Sequence, residues 1–245
     1  MFRFRDSLTS VTLLIGLIVF PHFSIASVSY NVCGNTIIST NAKRPLDFSE
    51  ICSGADDAVT FFRELNLTLL HPVVVEVVPE LPDFMSKTAV GCHLREEQKI
   101  LILTFTAFQK IGDWFGIPID RRMYRSLVIH EVAHVIASCN FAISDPSIQA
   151  QEYVAYVAML SMMNPNLRER VLAENPGEGF DSELEMNEIV YSLDPMHFGV
   201  EAYRHYLKQE QGTTFLLRVL SGEALTNRGI EWPNLLKSRS STDAS

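Results

Sequence analysis

The chain has 245 residues, 47% of them apolar and 20% charged, a composition that supports one sizeable core in a single domain. Its net charge of −9, from 29 acidic against 20 basic residues with no dense Lys/Arg cluster, argues against nucleic acid and against an anionic membrane surface as partners. Neither figure identifies a substrate.

Residues 1–26 differ from the rest: Arg3 and Arg5 precede an apolar run over 8–20, then Pro21 and the small-residue pattern Ser24-Ile25-Ala26. This is the pattern of a secretory signal peptide cut after Ala26, which implies a periplasmic or secreted protein. The apolar run is shorter than the roughly 20 residues that cross a bilayer, so no stable membrane span is expected after cleavage. An uncleaved amino-terminal anchor is the alternative. Cys33, Cys52, Cys92 and Cys139 remain, an even number in an oxidising compartment, and point to disulfides of undetermined pairing. None has C-x-x-C spacing.

Residues 27–106 are mixed, with a helix expected over 56–65 and strands over 73–78 and 99–105, where β-branched and aliphatic residues dominate. Asp120 is placed to cap a helix running to about residue 138. Asp145 is the expected cap of the next helix, with Pro146 at its first position and Asn164-Pro165 as its stop. Further helices are expected over 167–173, 182–191, 198–208 and 214–220. These elements describe an α+β domain over 27–225, with a β-containing lobe to about 119 and a helical lobe from 120. Residues 226–245 read as a flexible, solvated tail.

Within Leu127-Val-Ile-His-Glu-Val-Ala-His-Val-Ile-Ala137, the only ionisable groups are His130, Glu131 and His134. An unpaired imidazole or carboxylate buried in so apolar a helix costs several kcal/mol, roughly, unless a metal or a hydrogen bond compensates it. Four residues apart, the two His lie on one helical face and can meet a single ion. Glu131, about 100° further round, can address water at that ion without ligating it.

This is the HExxH pattern, and in it the chain resembles the zincin metallopeptidases, whose two His bind zinc and whose Glu is the general base. The resemblance spans about residues 99–163 and implies one zinc ion and a peptide or protein substrate. It also makes strand 99–105 the sheet edge along which an extended peptide is aligned. A catalytic zinc normally takes three protein ligands. The metzincin subclass would need Gly at 137 and His at 140, where this chain has Ala137 and Asn140. The gluzincin subclass, typified by thermolysin, draws a Glu from the next helix. Glu152 fits that role, being the only charged residue between Asp145 and Arg168. Asp145 and a more distant His or Glu remain alternatives. Thermolysin-like enzymes carry Asp one turn after this Glu, and here that position is Tyr156. Glu-Tyr-Val-Ala-Tyr similarly echoes the Glu-x-x-Ala-Asp motif of membrane-bound zincins that process prenylated proteins, again with Tyr for Asp.

The resemblance further implies an oxyanion donor from the C-terminal part, for which Tyr156, Tyr191, His197, Tyr203 and His205 are the candidates. The functional expectation is an exported zinc-dependent peptidase with Glu131 as base. A non-catalytic, zincin-like metal-binding or interaction module of the cell envelope is the competing one.

Overall fold

The computed structural model describes residues 28–226 except 35, 84, 86–88 and 209–211. The expected signal peptide, and the expected tail from residue 227 on, lie outside the described residues. The fold is α+β, with one five-stranded sheet, a separate two-stranded ribbon and eight α-helices among the described residues.

Strand β1 (Asn31–Val32) pairs antiparallel with β2 (Ile38–Thr40), which lies parallel to β3 (Val73–Val78). The crossover between β2 and β3 is helix α1 (Pro45–Glu64). It starts well before the expected residue 56, because Pro45 stands at its first position, where a fixed φ and a missing N–H cost the helix nothing. Its buried stripe, Ile51, Ala55, Ala58, Phe61 and Phe62, follows the helical repeat. Strand β4 (Gly91–Leu94) runs antiparallel to β5 (Lys99–Leu103), and β5 runs parallel to β3, giving the order β1-β2-β3-β5-β4. Strand β5 is therefore interior, which corrects the expectation that residues 99–105 form the edge. The strand's burial on both faces from Ile100 to Leu103 explains its continuous aliphatic run. Past Leu103, Thr104 accepts a hydrogen bond from the Ala107 N–H and opens the short helix α2 (Phe105–Gln109) instead of extending the strand.

The ribbon of β6 (Asp113–Trp114) and β7 (Ile117–Pro118) leads into helix α3 (Arg121–Asn140). Asp120 caps it as expected, accepting from the Met123 N–H at 2.9 Å. Helix α4 (Ile148–Met162) follows. Its cap is Ser147 and not Asp145: the Ser147 hydroxyl accepts from the Ala150 N–H at 3.1 Å, leaving Pro146 outside the helix. Asn164 caps α5 (Pro165–Glu174), so the expected stop signal is also a start. The helix expected over 182–191 is only α6 (Glu188–Leu193), because Asn187 takes the N–H groups of Ile189 and Val190 and fixes the start there. The preceding loop is held by side chains, notably Glu201, which accepts from the Gly179 N–H. Helices α7 (Pro195–Lys208) and α8 (Gly212–Ser221) complete the fold. No helix is long and apolar enough to cross a membrane among the described residues.

Helix α3 is the centre of the molecule, packing on α1, α4, β4 and β5. It is buried almost all round, as a helix without a pronounced amphipathic stripe must be. Polar ties fix its position. Arg125 makes a bidentate pair with Asp57 of α1 at 2.7 and 2.8 Å, Arg121 pairs with Asp47, and the Tyr124 hydroxyl donates to the Leu103 carbonyl at 3.0 Å. A Cys33–Cys52 disulfide joins the segment before β2 to α1, while Cys92 and Cys139 are free. Closing a loop of this length stabilises the fold by about 3 kcal/mol.

Where α1 meets α3 there is no space for a side chain. A Cβ at Gly54 would lie 2.8 Å from the Arg125 carbonyl oxygen and 2.9 Å from the Val128 Cβ, neither of which can swing aside. Gly54→Ala is therefore expected to lower stability by about 1–3 kcal/mol, outweighing the helix-propensity gain. Urea unfolding with an unchanged denaturant slope is the check; unaltered or increased stability would show that the two helices are not so closely packed.

Candidate metal centre

The local sequence places the site simply. Helix α3 presents His130 and His134 one turn apart, and α4 packs against it with Glu152 on the facing side. The two imidazole Nε2 atoms lie 3.1 Å apart. Glu152 closes the triangle, with Oε2 at 3.6 Å from His130 Nε2 and Oε1 at 3.5 Å from His134 Nε2. Among the described residues this trio forms the group whose ligand atoms could hold a metal ion, all lying within 4.8 Å of one another. Asp145, the alternative third ligand, does not belong to it.

These residues fit a divalent metal. Two donors about 2.0–2.1 Å from one tetrahedral zinc ion sit roughly 3.3 Å apart, close to the separations found here. Imidazole donors with one carboxylate suit several divalent transition metals, zinc among them. The cluster is also poorly satisfied by the protein alone: Glu152 Oε2 and His130 Nδ1 are buried with no hydrogen-bond partner among the described residues. Gln149 Oε1, one turn before Glu152, is buried and unpartnered as well.

Burial sets the protonation states of the metal-free site. Removal from water, and then the neighbouring imidazole, hold His130 well below its ordinary value, and burial with nearby His93 pushes His134 down to about 3. The carboxylates move the other way. Burial and then the Glu152 charge push Glu131 up to about 8, and burial pushes Glu152 up to about 8 against the opposing pull of the Tyr191 hydroxyl.

The surroundings are shaped to these groups. A Cβ at Gly91 of β4 would fall 2.4 Å from Glu131 Oε1, so a larger residue there would displace that carboxylate or the strand. The Tyr156 ring packs 4.5 Å from the His130 ring. Gly199 of α7 makes room for it, since a Cβ there would reach 2.5 Å from Tyr156 Cδ1. Of the five oxyanion candidates, Tyr156 and Tyr191 are brought to the site, both within electrostatic reach of Glu131 and Glu152. His205 is instead tied to the Tyr153 hydroxyl at 2.9 Å, Tyr203 interacts with Arg168 and Tyr206, and His197 is exposed at the start of α7.

Sequence reasoning missed His93. It lies on β4 beside the site, with Nε2 buried and unpartnered, and burial together with Arg95 pushes it down to about 4. The available signal was a polar residue two places from a glycine in a short strand, with none of the spacing that singles out a helical motif.

The metal-free protein should carry a pH signature. Glu131 and Glu152 keep protons in the folded chain that the unfolded chain releases near pH 4.5, so their contribution to stability is full below that pH and lost as pH rises towards 8. The buried histidines contribute oppositely, with stability present above pH 6.5 and lost on acidification. Only the carboxylate trend operates between 6.5 and 8. Urea unfolding in the presence of a chelator should therefore show stability falling across that interval, and excess zinc should abolish the fall. A flat chelated profile would contradict the burial of both carboxylates.

The chain belongs to the family described as a family of unknown function (DUF6639), which matches residues 38–229 and so includes His93, His130, Glu131, His134 and Glu152. No curated protein and no solved structure matches it.

Proposed function

We propose that this member of the DUF6639 family is an exported zinc-dependent peptidase of the zincin type, gluzincin-like in drawing its third ligand from the helix after the motif. The observation that carries the reading is the convergence of His130 Nε2, His134 Nε2 and the Glu152 carboxylate, with Glu131 buried beside them. A structural site would have no use for that fourth group. Export is supported by the Cys33–Cys52 bridge, a bond that persists in oxidising compartments.

His130, His134 and Glu152 would hold the ion, which when bound supplies Lewis acidity towards a peptide carbonyl and lowers the pKa of water. Glu131 takes the proton of the attacking water and later delivers it to the leaving amine. Burial raises the proton affinity of this carboxyl in the metal-free protein, and the charge of a bound ion would favour the ionised form that a base requires. Gly91 fixes where that carboxylate stands. Tyr191 steadies Glu152, and Tyr156 packs the His130 ring into one orientation. Strand β4 is the outer strand of the sheet next to α3, so an extended peptide has an unpaired edge to join beside Glu131.

One observation favours the second reading, a non-catalytic metal-binding or interaction module. Metal-ligating imidazoles generally donate their other N–H to a carboxylate, carbonyl or water, and His130 Nδ1 has no partner among the described residues. The Asp that thermolysin-like enzymes carry four residues after the ligand Glu is absent, Tyr156 standing there instead.

The two readings separate in one experiment. The peptidase reading expects one zinc per chain, hydrolysis within a broad peptide library, and a loss of roughly 10²–10⁴-fold in kcat for Glu131→Gln with zinc retained. His134→Ala and Glu152→Ala should lose the zinc. Stoichiometric zinc without turnover on the library would favour the module instead, and a wild type that takes up no zinc would overturn the peptidase reading.

A further inference from the structure

Strand β4 brings a fifth polar group to the site. Side chains alternate along a strand, so Gly91 and His93 share one face. That face is the one towards α3, because the Gly91 position abuts the Glu131 carboxylate. Two residues along β4 advance about 6.6 Å, so His93 stands about that far along the same face from the point where Gly91 meets Glu131. The electrostatic influence of His93 on His134 accords with that placement. The imidazole is not one of the converging ligand atoms, which are those of His130, His134 and Glu152. Its Nε2 is nonetheless buried with no partner among the described residues, a position that native structures avoid unless a ligand or water completes the bond.

We propose that His93 is a substrate-contacting residue of this site, its Nε2–H donating a hydrogen bond to the oxygen of the carbonyl under attack. The inference rests on the peptidase reading and adds to it the donor that the C-terminal tyrosines and histidines were expected to supply. Position supports the assignment. His93 stands on the edge strand that an extended peptide would join, on the same face as Gly91, so a peptide oxygen placed between Glu131 and His134 comes within reach of it. As carbonyl carbon becomes tetrahedral, negative charge gathers on that oxygen, and a fixed donor there is worth more to the transition state than to the ground state.

The test uses cobalt-substituted full-length protein and inorganic phosphate as a tetrahedral oxyanion probe. The visible cobalt spectrum reports the ligand set, and its change on titration with phosphate reports anion affinity. His93→Leu should keep cobalt stoichiometry and the phosphate-free spectrum while weakening phosphate binding about tenfold or more, the loss expected for one hydrogen bond to a charged acceptor. His93→Gln, whose amide N–H occupies nearly the place of Nε2–H, should recover most of the affinity. In peptide hydrolysis His93→Leu should lower kcat more than it raises KM. Unchanged phosphate affinity in a folded His93→Leu protein would overturn the proposal, as would failure of wild-type cobalt protein to bind phosphate at all. A changed spectrum or lost cobalt in that variant, with the fold intact by circular dichroism, would make His93 a metal ligand and overturn the donor role. Wild-type protein that takes up no metal would sink the peptidase reading itself, before any His93 variant is compared.

Discussion

Ionisable side chains buried in an apolar interior are the constraint on which the rest of this structure depends. Two imidazoles and two carboxylates from α3 and α4 occupy a volume from which water is largely removed, and the protein supplies too few partners for them. Leaving such groups unsatisfied costs several kcal/mol, roughly, against a total stability of about 5–15 kcal/mol. The fold therefore has to hold them rigidly, and it does so through the position of α3. The Asp120 cap closes the first turn of that helix, and the bidentate Arg125–Asp57 pair and the Tyr124 hydrogen bond to Leu103 fasten it to α1 and to the sheet. Close packing at Gly54 and Gly91 leaves it little freedom to shift.

The architecture gathers these poorly satisfied groups at one place. Parallel pairing of β2 with β3 and of β3 with β5 buries the aliphatic strands, and the antiparallel strand β4 at the end of the sheet comes to lie against α3. One wall of the site is then backbone with an unpaired edge, and the other is the α4 face bearing Gln149, Glu152 and Tyr156. Tyr156 of α4 and Tyr191 of α6 stand beside Glu152, and the Tyr156 ring packs against His130.

The parts of the site legible in the sequence were those written at helical spacing. His130, Glu131 and His134 announce themselves because nothing else in their helix is ionisable, and Glu152 because it is the lone charge in the next one. The structure brings the three expected ligands together. What escaped was encoded in pairing between distant segments. Gly91 and His93 acquire meaning only through the register of β4 on β5 and its approach to α3, neither of which a six-residue pattern conveys. The same limit misplaced the sheet edge: the aliphatic run at 99–103 reads as a strand, but its interior position depends on β4, whose Gly-Cys-His-Leu has no alternation of its own. Caps were misread where two candidates stood close together, as with Asp145 and Ser147, since only geometry shows which oxygen reaches the third N–H. Helix α1 began earlier than its apolar repeat because Pro45 started it.

The central claim is that His130, His134 and Glu152 share one divalent ion. The most direct measurement is anomalous diffraction at the zinc edge from crystals of protein purified without chelator. The account predicts one strong peak lying between the two Nε2 atoms and the Glu152 carboxylate, with Glu131 outside bonding distance. Zinc found instead at Cys92 or Cys139, or no peak at the α3–α4 interface in zinc-supplied protein, would contradict it.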